Sequence, residues 1–338
     1  MLLRSPRGCL VVAGLSVLLA VAPAAPTTAV ITPSVAASTA EERAHYPRSL
    51  GERAALGAFV EGMQADPERL TDLEAKIGEQ VGIASYYYGY GDVFPAAPER
   101  HFSDQGRRRV LVSWDMGPTR FTEWSRGRHD RYLDRIAAAA RAYPHELYVR
   151  PWPEMNGDWQ SFQPTADGDR PHGGTYRQFK RAWRHVVTYL REHGADNLRW
   201  VFNPTADTYA ETTPVRAIWP GAAYVDVLGL DGFNWGADEG WGRWRSFRAV
   251  FTAQYRRLTA LAPRLPVWIC EVASKEPAID DGAPVDPRRS KAAWVRSMLA
   301  ERSMPRVRAL IWFHADKERD WRIDSSARPL RVLRRALR

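Results

Sequence analysis

Cysteine is nearly absent: Cys9 and Cys270 are the only two in 338 residues. Cys9 lies near the N-terminus, so a chain processed there would keep one thiol and no disulfide. Such a chain must be held by its hydrophobic core, and this length permits one. Several motifs are missing as well. There is no P-loop, no His-Glu-x-x-His, no Gly-x-Ser-x-Gly and no Cys/His cluster at metal spacing. Phosphate-loop chemistry, zinc peptidases and the serine hydrolase elbow therefore lose their support, and no metal or other cofactor is expected. Beyond residue 45 there is no linker, no low-complexity stretch and no tandem repeat. The surplus of positive charge, +9 at neutral pH, is not concentrated anywhere. Acids are interleaved with the basic residues, and no stripe alternates basic and aromatic side chains, so a nucleic-acid partner is not expected.

What is present begins with residues 1–25, which read as a secretory signal peptide. Arg4 and Arg7 supply its positive start, Cys9 to Leu19 its apolar stretch and Ala22-Pro23-Ala24 a small-residue cleavage site. Removal would leave a net charge of +7, and an uncleaved anchor is the competing reading. No later stretch is apolar enough to span a bilayer, so a secreted, monomeric, extracellular protein is expected. Residues 26–45, rich in Ala, Thr, Pro and Ser, read as a disordered lead-in. Residues 46–338 read as one domain.

Within that domain, short apolar β-prone runs alternate with helical patterns. The strand candidates are 56–60, 83–88, 110–114, 147–152, 198–202, 225–230, 267–270 and 309–313. Continuous apolar runs suit strands buried on both faces of a parallel sheet. Helical patterns cover 67–80, 129–141, 176–193, 247–261, 291–300 and 330–337. The clearest is 176–193, where Phe179, Trp183, Val187 and Leu190 recur at three- and four-residue spacing before Gly194. Eight βα units in a chain of this size predict a (β/α)8 TIM barrel, with a doubly wound sheet as the alternative.

A barrel places its chemistry at the C-terminal ends of its strands. The fourth strand gives out at Pro151 and Pro153, which cannot donate to a ladder. Glu154 follows, flanked by Trp152 and Trp159. A carboxyl group between indoles suits a sugar-cleaving site; a strand-end glutamate paired with an arginine is the competing reading. The seventh strand ends at Glu271, the fifth at Asn203, the sixth at Asp231, and the eighth near Trp312 and His314. Alternation puts Ile269 and Glu271 on one face, leaving Cys270 to pack beneath a helix. Two carboxyl groups across one pocket suit glycoside hydrolysis, and a pair about 5–5.5 Å apart retains configuration. Trp235, Trp241 and Trp244 crowd the loop after the sixth strand. Each neighbour has a plainer role open to it. Arg150 would pair a buried acid, Asp231 would cap a turn, and Trp235 and Trp312 would fill core. His314 and His172 read as loop histidines.

Arg150-Pro151-Trp152-Pro153-Glu154-Met155-Asn156-Gly157-Asp158-Trp159 resembles the acid/base segment of glycoside hydrolase family 26. That family holds β-mannanases, with some mixed-linkage β-glucanases and β-1,3-xylanases, on retaining (β/α)8 barrels. The resemblance continues in Gly173-Gly174-Thr175-Tyr176, in Trp200 to Pro204, in Tyr224 to Gly232 and in Trp268 to Glu271. It implies Glu154 as acid/base and Glu271 as nucleophile. It further implies a sugar site lined by Arg150, Trp159, Asn203, Asp231 and Trp312, to which the aromatic strand ends and loops add Trp152, Phe233 and Trp235. The implied activity is internal hydrolysis of a β-linked polysaccharide, β-1,4-mannan first. A mixed-linkage β-glucan, an anionic cell-envelope polysaccharide and a barrel that binds without cleaving are the alternatives. Two residues depart from the family pattern. Pro153 stands where a histidine is usual, and Phe233 where a tyrosine often contacts the nucleophile.

Overall fold

Eight strands run parallel and close on one another. In the computed structural model they are β1 (Ala55–Val60), β2 (Ile83–Tyr88), β3 (Arg109–Trp114), β4 (Leu147–Pro151), β5 (Leu198–Phe202), β6 (Val227–Asn234), β7 (Val267–Ser274) and β8 (Val307–His314). Each pairs with the next in sequence, and β8 pairs with β1. The structure describes residues 54–97, 99–100, 108–207, 212–236, 243–277 and 289–337. The expected signal peptide, the lead-in and Trp241 lie outside the described residues. The predicted barrel is thus the observed one, and every predicted strand overlaps an observed strand.

Besides a 3-10 turn at Ala222–Tyr224, the helices with both ends among the described residues are α1 (Glu68–Ile77), α2 (Phe121–Trp124), α3 (Asp130–Arg141), α4 (Tyr176–Glu192), α5 (Val215–Ile218), α6 (Phe247–Leu261), α7 (Lys291–Leu299) and α8 (Ala327–Ala336). The two four-residue helices, α2 and α5, are too short for a periodic signal and were not foreseeable from one. α4 shows how the longer ones are specified. Thr175 and Gln178 form a capping box, each side chain satisfying the other residue's backbone N–H. Phe179, Ala182, Trp183, Val186, Val187 and Leu190 make its buried stripe. Gly194, at φ 77°, closes the end in the left-handed conformation that glycine adopts at least cost.

Alternation along the strands divides the apolar residues into two layers. Ile83, Leu111, Tyr148, Val201, Val227, Trp268, Cys270, Ala309 and Ile311 fill the barrel interior. The larger layer lies between barrel and helices and includes Val112, Val149, Trp200 and Ile269. Cys270 is therefore inside the barrel, not beneath a helix. The reason is a register shift. Leu230 pairs with Ile269, but Asp231 pairs with Glu271, so β7 carries one extra residue. A bulge of this kind advances the side-chain phase by one position. Trp268 and Cys270 point inward, and so does Glu271. Unbroken alternation would have sent Glu271 the other way.

Candidate active site

The backbone at the end of β4 is strained. Trp152 and Glu154 hold φ angles of 48° and 54°, the left-handed region that side chains with a Cβ rarely enter. Each such residue costs on the order of 1–3 kcal/mol and persists only where its surroundings enforce it. Here the enforcement comes from β5 and its loop. The Glu154 N–H donates to the Asn203 carbonyl at 2.8 Å. The Asn156 side chain accepts from Thr205 N–H at 2.7 Å and donates to the Thr205 carbonyl at 3.2 Å. The twist turns Trp152 and Glu154 in opposite directions. Trp152 packs against Phe121, Trp124, Phe179 and Trp183 in the helical layer. Glu154 faces a cavity of about 1070 Å³ at the C-terminal mouth of the barrel.

The cavity walls are largely aromatic. Phe59, Tyr87, Trp159, Phe233, Trp235, Phe313 and Trp321 line it, together with Glu154 and Glu271. Trp159 is 48% exposed, which is unusual for an indole. Its N–H donates to Glu154 Oε2 at 3.0 Å. Gly157 permits that placement, because a Cβ there would meet the Trp159 ring at 2.6 Å.

Glu271 is held from beneath. Arg150 is wholly buried and donates to four groups at once. Nη1 reaches Asp231 Oδ2 at 2.6 Å, Nε reaches Ser113 Oγ at 2.6 Å, and Nη2 reaches both Glu271 Oε1 and the Tyr87 hydroxyl. A buried guanidinium needs this density of acceptors. Asn203 Nδ2 donates to the same Asp231 oxygen at 2.7 Å. Gly229 leaves room for Asn203, whose Oδ1 would lie 2.2 Å from a Cβ at that position. The Tyr87 hydroxyl donates to Glu271 Oε1 at 2.6 Å. Both donors converge on Oε1, leaving Oε2 free to face the cavity. Burial, and next the Glu271 charge, push the Tyr87 phenol well above its ordinary value, so it stays a donor.

The two carboxyl groups differ in setting. Burial, then the Glu271 charge, push Glu154 up to about 7; Trp159 and Arg150 oppose the rise. An acid near 7 still holds its proton in mildly acidic solution and can donate it.

Among the predicted site residues, Glu154, Trp159, Phe233, Trp235 and Glu271 line the cavity. Arg150, Asn203 and Asp231 lie buried under it as one network. Trp152 and Trp312 do not line it. Trp312 is buried, donates its N–H to the Trp321 carbonyl at 2.9 Å and packs on Trp294. Its neighbour Phe313 takes the inward position, in phase with Ala309 and Ile311. Trp244 is half-buried against the core. His314 is buried, accepts from Ile323 N–H and is pushed down to about 4 by burial, so it serves the fold. Among the described residues no group of His, Cys, Asp and Glu is arranged to hold a metal ion.

Sequence reasoning missed Tyr87, Phe59 and Phe313. All three stand at or next to the C-terminal end of a strand; the strand-end rule extended to β1 and β2 would have found Phe59 and Tyr87, whereas at β8 it named Trp312 and His314 and alternation selects Phe313 between them. Phe233 carries no hydroxyl, yet Glu271 does not lack a phenolic donor: Tyr87 brings one from the second strand instead of the sixth.

The chain is 34% identical to Endoglucanase H of Acetivibrio thermocellus over 288 residues, 83% of this chain and 30% of that protein. It is 36% identical to a mannan endo-1,4-beta-mannosidase of Bacillus subtilis over 89 residues, 26% of this chain and 23% of that protein. The chain thus spans less than a third of either relative's length. A solved GH26 beta-mannanase from Bacteroides ovatus shares the fold, with a TM-score of 0.55 at 17% identity over 85% of this chain and 87% of that one. Residues 121–296, more than half of the sequence, match Glycosyl hydrolase family 26. That stretch contains Arg150, Glu154, Asn203, Asp231 and Glu271, and on this ground the chain belongs to glycosyl hydrolase family 26.

Proposed function

We propose that this chain is a secreted, retaining, endo-acting β-glycosidase. One observation carries the reading: Glu154 and Glu271 share a single aromatic cavity in contrasting settings. Arg150 and Tyr87 hold Glu271 Oε1, so Oε2 attacks the anomeric carbon of the bound sugar. Glu154, with its proton retained to about pH 7, gives that proton to the departing glycosidic oxygen. The attack forms a glycosyl ester on Glu271 and frees the aglycone half of the chain as an alcohol. Esterification removes the Glu271 charge, which lowers Glu154 and suits it to take a proton from water. The resulting hydroxide attacks the anomeric carbon, the ester bond breaks, and configuration is retained.

The open mouth and its aromatic walls support internal cleavage of a chain. Mannan comes first, supported by the relatives named mannan endo-1,4-beta-mannosidase. A β-glucan is the second reading, favoured by the endoglucanase that aligns along most of the chain while those mannanases align over about a quarter. An anionic polysaccharide has less support, because Glu61, Asp158, Asp207 and Glu318 add further carboxyl groups to the cavity lining.

A 2-deoxy-2-fluoro glycoside tests the mechanism: peptide mass spectrometry should place the label on Glu271. A label on Glu154 reverses the roles, and an inverted product overturns retention. Initial rates on galactomannan, glucomannan and barley β-glucan test the substrate. Barley glucan at least tenfold ahead would replace mannan. N-terminal sequencing of protein recovered from culture medium tests export and removal of residues 1–25.

A further inference from the structure

The loop from Ala315 to Ser326 joins β8 to α8 and contributes Ala315, Lys317, Glu318 and Trp321 to the cavity lining. Its backbone is gripped from below at three successive carbonyls. Lys291 Nζ donates to the carbonyls of Asp320 at 2.9 Å and Arg322 at 2.7 Å, and to Ser325 Oγ at 2.7 Å. The Trp312 indole N–H takes the carbonyl between them, that of Trp321. An ammonium has three protons, and all three go to this loop.

Lys291 is an expensive way to fill space. It is wholly buried, and it opens α7, where the helix dipole disfavours a cation. None of its three hydrogen bonds goes to a carboxylate. Serving packing alone, an apolar side chain would do better. Above the grip, the Trp321 ring lies 5.1 Å from Phe233 and 4.9 Å from Trp235, measured between centroids. Those two rings are only partly buried and form cavity wall.

We propose that Lys291 is a positioning residue: it fixes the β8 loop, and through Trp321 the Phe233–Trp235 wall that holds sugar rings of a polymeric substrate. The proposal rests on the glycosidase reading and concerns recognition of the chain, not bond breaking.

The test is made on the protein with Lys291→Met and, separately, Trp312→Phe, which removes the central donor together with part of a buried ring. Lys291→Met should raise KM for the preferred polysaccharide about tenfold while kcat changes less than threefold. Calorimetry with manno- and gluco-hexasaccharides should show the same rise in Kd. In a Trp321→Ala background Lys291→Met should cost little more, since the two act through one wall. Trp312→Phe should move KM the same way by less, and it carries the test if Lys291→Met does not fold. An unchanged KM and Kd in a folded variant overturns the proposal. So does a fall in kcat as large as the rise in KM, or full additivity with Trp321→Ala. Wild-type protein that binds a hexasaccharide but cleaves no glycan would defeat the glycosidase reading alone, because Kd would still report on Lys291.

Discussion

The ends of β4 and β7 bring carboxyl groups to one cavity by opposite means. At β7 the strand stays regular apart from one extra residue, and Glu271 meets a guanidinium and a phenol that converge on one oxygen. At β4 the strand stops, the backbone enters the left-handed region, and Glu154 receives one indole N–H. Two donors converge on one carboxyl oxygen at the first end, and burial favours the protonated form at the second. Identical side chains thus acquire different settings from burial and neighbours.

The largest expected effect comes from deleting either partner. Glu271→Ala and Glu154→Ala should each lower kcat by roughly 10⁴-fold or more. Azide should rescue the first with an α-configured product and the second with a β-configured one. The same anomer from both would collapse the contrast. Next comes Arg150→Met, which leaves Asp231 buried and Glu271 partly buried without their cation. Denaturant unfolding should show a loss of about 3–5 kcal/mol, with activity falling sharply as well. Tyr87→Phe is a finer probe of the β7 end. One hydrogen bond to a charged group is worth about 1–3 kcal/mol, so kcat should fall roughly 10- to 100-fold with little change in KM. An unaffected kcat would reduce the difference between the two ends to Arg150 alone.

The β4 end is sharpened by pH. As the proposed acid, Glu154 must carry its proton, so kcat/KM should decline as pH rises through about 7. Trp159→Phe removes a donor that favours the charged form, so that limb should move to higher pH. A limb that stays put, or moves down, would contradict the assigned contact. The smallest effect is on stability. Glu154 is raised from 4.5 in the unfolded chain to about 7 in the fold. Stability is therefore lost between those values as pH rises, and the loss is complete above 7. Glu154→Gln escapes it. Its Tm should exceed wild type by about 2–4 °C per kcal/mol recovered at pH 8, and the gain should vanish near pH 4.

The barrel was legible because eight apolar runs recur between helical patterns, and burial on both faces leaves that trace in composition. The two carboxyl groups were legible because strand ends are marked by proline and by the loss of apolar residues. Side-chain phase was not legible. Ile269 and Glu271 read as sharing a face until the bulge at Cys270 separates them. Trp152 and Trp312 read as lining residues because both are large aromatics at strand ends. One is turned away by a left-handed backbone and the other by alternation. The Arg150–Asp231–Asn203 network joins residues 81 and 28 positions apart, a closeness created by the side-by-side pairing of β4, β5 and β6.

The left-handed backbone at position 154 also bears on how such a barrel would drift over evolutionary time. Glycine, asparagine and aspartate are the residues that occupy this region most readily. A codon change from glutamate to any of them would relax the loop while shortening or erasing the acid. At this position the route away from catalysis runs downhill in folding free energy, so purifying selection on turnover alone would keep the glutamate in place. A lineage released from that selection would be expected to lose Glu154 before Glu271, and to leave behind a stable barrel with its aromatic cavity intact.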